Sequence, residues 1–69
     1  MQRWRVLLIT QGGDAVDGHF DVVGSELPSV GEIIRVRNRR DLASAEIRAR
    51  VRLVNPTDAL PVAAVEEPR

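Results

Sequence analysis

The chain predicts a mostly β protein, a small five-stranded barrel or sandwich, and three observations carry that expectation. Residues 46–54 alternate almost without fault, Ile47, Ala49, Val51 and Leu53 against Glu46, Arg48, Arg50 and Arg52, the period of a half-buried strand. Turn-forming residues recur at short intervals, at Gly12-Gly13-Asp14, Asp17-Gly18, Gly24-Ser25, Gly31 and Asn55-Pro56, as in small barrels and sandwiches. Sixty-nine residues allow one domain, taken as 1–69 with residues 66–69 expected to fray.

The elements follow in order. Trp4 to Thr10 reads as a first strand, and Val6-Leu7-Leu8-Ile9 is apolar on both faces, as in a strand covered on both sides. A polar connection through Gly12-Gly13 and Asp17-Gly18 leads to a second strand over His19 to Val23, so residues 4–23 form a hairpin with a long loop. Phe20 and Val22 share one of its faces, His19, Asp21 and Val23 the other. Glu32 to Arg37 is a third strand, with Ile34 and Val36 opposed to Ile33, Arg35 and Arg37.

Residues 46–54 admit two periods. Ile47, Val51 and Val54 also fall at helical spacing, and Asp41 is placed to cap a helix from Leu42. The strict alternation favours a fourth strand, with at most a short helical turn over 41–45. Leu60 to Val65 is the fifth strand, and Pro61 near its start suits an edge position. From Leu27-Pro28-Ser29-Val30-Gly31-Glu32 onward, a strand, a loop, a longer strand and a final strand loosely resemble small SH3-like barrels over roughly residues 27–66. That resemblance implies a binding module.

Composition narrows the function classes. Ten basic and ten acidic residues balance to a net charge of zero, so no global field draws the protein to nucleic acid or membrane. No cysteine is present, which removes disulfides and thiolate metal sites. The apolar run at 6–9 is far shorter than a membrane span or a signal-peptide core, and the expected location is cytoplasmic. All ten basic residues are Arg, a pattern that fits a coding bias or selection for planar, bidentate contacts.

No catalytic apparatus is legible, and no cofactor is expected. His19 is the sole histidine; on a strand it shares a face with Asp17 and Asp21, which would permit a mixed metal site or a general base. Beside Gly18 those carboxylates are ordinary turn formers, and the segment reads as a solvated face. Gly12-Gly13 lacks the later glycine and the Lys-Ser/Thr of a phosphate loop.

The organised feature is arginine. Pairing the third and fourth strands with their apolar sides together sets Arg35, Arg37, Arg48, Arg50 and Arg52 on the opposite side. Those five, with Trp4, are the candidate binding residues. The expected function is a non-enzymatic interaction module for a protein partner, with nucleic-acid binding as the alternative use of the same face. A homodimer is expected, because Val6-Leu7-Leu8-Ile9 and Ile33-Ile34 carry apolar side chains that one small barrel cannot all enclose.

Overall fold

The computed structural model describes residues 3–41 and 43–68. Its regular elements are all strands: β1 (Arg5–Ile9), β2 (Phe20–Val22), β3 (Ile33–Asn38), β4 (Ile47–Val54) and β5 (Val62–Glu66). They join in chain order into a closed barrel. Each consecutive pair is antiparallel. Five is odd, so β1 and β5 must point the same way, and the ring closes through a parallel pair running from Val6 opposite Val62 to Ile9 opposite Val65. Closure leaves no free sheet edge.

The core follows from the two-residue period. Each strand sends two alternate side chains inward: Val6 and Leu8, Phe20 and Val22, Ile34 and Val36, Ala49 and Val51, Val62 and Ala64. Trp4, Val16, Leu27, Ile47 and Val54 pack around these ten. The 46–54 segment is thus a strand, and β1 and β2 form the long-looped hairpin that the sequence predicts. Gly18 takes φ +126° beneath the Phe20 ring, where an added Cβ would lie 3.3 Å from Cε2. The position needs glycine for both reasons.

The structure corrects the sequence reading in two places. Leu53 is not on the inward face of β4. Val51 pairs with Ala64 and Leu53 with Ala63, so Arg52 is an extra residue without a partner, a β-bulge. The bulge bends β4 around the narrow barrel, turns Leu53 outward to 62% exposure and brings Val54 onto the core instead. Next, β5 is no edge strand, since it lies between β4 and β1; Pro61 sits just before it, buried, its carbonyl accepting from the Asn55 amide at 2.7 Å. Glu66 ends β5, and the Glu67 amide donates to the Arg48 carbonyl at 2.9 Å.

No helix is present among the described residues. The helical turn expected over 41–45 includes residue 42, which lies outside them; beside it the Ser44 amide donates to the Asp41 carbonyl at 3.1 Å. Among the described residues no helix is long and apolar enough to cross a membrane.

Candidate functional site

The register of β3 on β4 places the arginines. Ile33 lies opposite Arg50, Ile34 opposite Ala49, Arg35 opposite Arg48 and Val36 opposite Ile47. Ile34, Val36, Ala49 and Val51 are buried, so Arg35, Arg37, Arg48, Arg50 and Arg52 all stand on the outer face and all are exposed. Two like charges, Arg35 and Arg48, are direct cross-strand neighbours, an arrangement that destabilises a sheet.

Two carboxylates reach this face. Glu46 accepts from Arg37 at 3.2 Å and lies 3.3 Å from Arg35. Glu67 accepts from Arg50 Nε at 2.8 Å, while Arg50 Nη1 donates to the Gly31 carbonyl at 3.0 Å. Among the described residues no carboxylate pairs with Arg48 or Arg52. Five guanidiniums less two carboxylates leaves a local excess of three positive charges, 5 − 2 = 3, on a chain whose net charge is zero. Exposed pairs of this kind contribute only about 0–1 kcal/mol each. They hold the guanidiniums loosely and do not compete strongly with a ligand.

The remaining candidates lie elsewhere. Trp4 is half-buried before β1, its indole N–H donating to the Ser25 carbonyl at 3.0 Å. Because β1 borders β2 and β5, the ring packs against the core and does not join the arginine face. His19 Nδ1 lies 2.9 Å from Arg5 Nη2. A guanidinium can only donate, so in this contact Nδ1 is the acceptor. Asp21 is turned the other way: both of its oxygens accept from Arg39, at 2.8 and 3.0 Å. That fork and the carboxylate charge raise the Arg39 pKa above the usual arginine value. Among the described residues no three His, Cys, Asp or Glu side chains converge as a metal site.

A cleft beside the arginine face, lined by Glu46, Arg48, Glu66 and Glu67 among others, measures about 160 Å³. Small-molecule sites occupy about 300–1,000 Å³, so the candidate site is a surface and not a pocket. The sequence reading expects outward apolar side chains on the first strand but misses that Ala63 and Val65 of β5 and Leu53 of β4 continue Leu7 and Ile9 as one surface. A signal for it exists in the adjacent apolar pair Leu53-Val54, since strict alternation cannot place both inward.

The chain matches no protein-family model and no curated protein, and its fold matches no solved structure.

Proposed function

We propose that this protein is a non-enzymatic interaction module that self-associates and binds an acidic segment of a protein partner across β3 and β4. The observation that carries the reading is the Arg35–Arg48 juxtaposition within a face holding three uncompensated positive charges. A neutral chain that concentrates like charges in register weakens its own sheet there, and an acidic ligand offsets that loss. Guanidinium forks suit carboxylates in pairs. A cytoplasmic location is part of the same reading.

Amide NMR shifts, followed during titration with an octaglutamate peptide and in parallel with a twelve-nucleotide single strand, test it. The peptide is expected to move the amides of 33–38 and 47–54, and Arg48→Glu to weaken it by about tenfold, the effect of losing one charge-assisted contact. Tighter binding of the oligonucleotide, falling steeply between 50 and 200 mM salt as phosphate contacts do, would reassign the face to nucleic acid. No shift with either probe removes the proposal.

A further inference from the structure

We infer that the exterior of β1 and β5, extended by Leu53 of β4, is the surface on which a second copy of this chain docks, about a two-fold axis through that face. The inference rests on the self-association proposed above and assigns its surface and symmetry. Leu7 and Ile9 of β1 lie opposite Ala63 and Val65 of β5, and Leu53 lies on the far side of Ala63. Leu7–Ala63–Leu53 is therefore one continuous outward row, with Ile9–Val65 next to it. Those four residues of β1 and β5 are half-buried, Leu53 is 62% exposed, and Leu60 just before β5 is 37% exposed. The bulge at Arg52 is what turns Leu53 onto this surface. A closed barrel offers no edge for strand pairing, so the copies must meet face to face.

Charge selects the second copy over a different protein. Because β1 and β5 are parallel, both begin at one end of the patch and finish at the other. Arg3 stands where they begin. Where they finish stand Glu66 and Asp14, whose carbonyl holds the Thr10 amide at 2.8 Å and so keeps Asp14 just past β1, while Arg50, opposite Val65 at that end, is neutralised by Glu67. Among the described residues none of Arg3, Asp14 and Glu66 has an ion-pair partner. The loop leading to β5 brings one carboxylate to the basic end, Asp58, which accepts from the Leu60 amide at 3.1 Å; Arg5, the first residue of β1, stands there beside Arg3, and the two outweigh it. A two-fold axis through the patch lays the basic end of one copy on the acidic end of the other, twice. The patch is thus complementary to itself. A standard interface takes about 800 Å² from each partner, about one sixth of this chain's 4793 Å².

Sedimentation equilibrium at ~100 μM, above typical micromolar constants, reads the result. The expected mass is twice 7.6 kDa. Leu53→Asp and Arg3→Glu are each expected to weaken the dimer by about tenfold or more. Adding Asp14→Arg and Glu66→Arg to Arg3→Glu restores it, and Arg35→Glu, on β3 and away from the patch, leaves it unchanged. A wild-type monomer would refute self-association itself. A dimer indifferent to Leu53→Asp, or dissociated by Arg35→Glu, keeps self-association and overturns this surface. An Arg3→Glu defect that the reversed charges fail to repair overturns the two-fold arrangement. Circular dichroism checks each variant, and if Leu53→Asp does not fold, the charge reversals, remote from the core, carry the test alone.

Discussion

Deleting single residues from β4 separates the bulge from the rest of the strand. Val51 faces in, Arg52 and Leu53 face out, and Val54 returns to the core. Removing Arg52 leaves Val51, Leu53 and Val54 opposite Ala64, Ala63 and Val62, their present partners, with every side chain on its present face. The loss is one bend in the strand, and the expected effect is below about 2 kcal/mol, within the ordinary range for a single change. Removing Arg50 is different. It shifts part of the strand by one position and flips it, so that Val51 turns outward or an arginine turns inward. Exposing Val51 alone loses about 1.5–3 kcal/mol, and an unpaired buried guanidinium adds several more. A domain of this size has roughly 3–10 kcal/mol in all. Urea unfolding followed by circular dichroism should find the Arg52 deletion folded, with a modestly lowered midpoint, and the Arg50 deletion unfolded. An unfolded Arg52 deletion, or a cooperative Arg50 deletion with unchanged amide spectrum, would refute the assigned bulge.

Three further outcomes follow from particular contacts. Gly18→Ala forces a Cβ to 3.3 Å from the Phe20 ring at φ +126° and should destabilise by about 1–2 kcal/mol; an unchanged thermal midpoint would contradict that backbone. Trp4→Phe keeps the ring and removes the indole N–H bonded to Ser25, and should lower stability by about 0.5–1.5 kcal/mol without altering peptide binding to β3–β4, measured by the same NMR titration. Arg48→Gln relieves the contact with Arg35 and should leave stability unchanged or raise it by a few tenths of a kcal/mol, most visibly in low salt. A loss above about 1 kcal/mol would mean that Arg48 makes a structural contact.

The strands were legible because burial in a small barrel imposes one strict rule, alternate residues inward, and β3 and β4 obey it over Ile34, Val36, Ala49 and Val51. The arginine face was legible for the same reason, as the complement of that pattern. The bulge was less so: Arg52 and Leu53 continue the alternation in sequence while leaving it in space, because curvature depends on how the whole ring closes. The closure itself had no local signature. Pro61 reads as an edge residue, yet it lies outside the ladder, and β5 still gains two neighbours. Trp4 shows the limit for single residues. An isolated aromatic between two arginines is compatible with stacking on a ligand, and only the position of Ser25, twenty-one residues away, assigns its indole to a contact within the chain.

An odd number of strands also governs how this domain can be joined to anything else. Most compact domains bring their two ends close together, but here the first strand enters at one pole and the last leaves at the other. Fusions to the two ends are therefore held apart along the barrel axis, and a tandem array would run in line instead of folding back. Rewiring the chain by joining its ends would require a linker that crosses the length of a five-residue strand, ~17 Å at ~3.3 Å per residue, before adding any slack. A permutant that joins Glu67 to Trp4 through two residues should fail to fold, while one that joins them through a flexible segment of about eight residues should fold and keep the same five-membered ring.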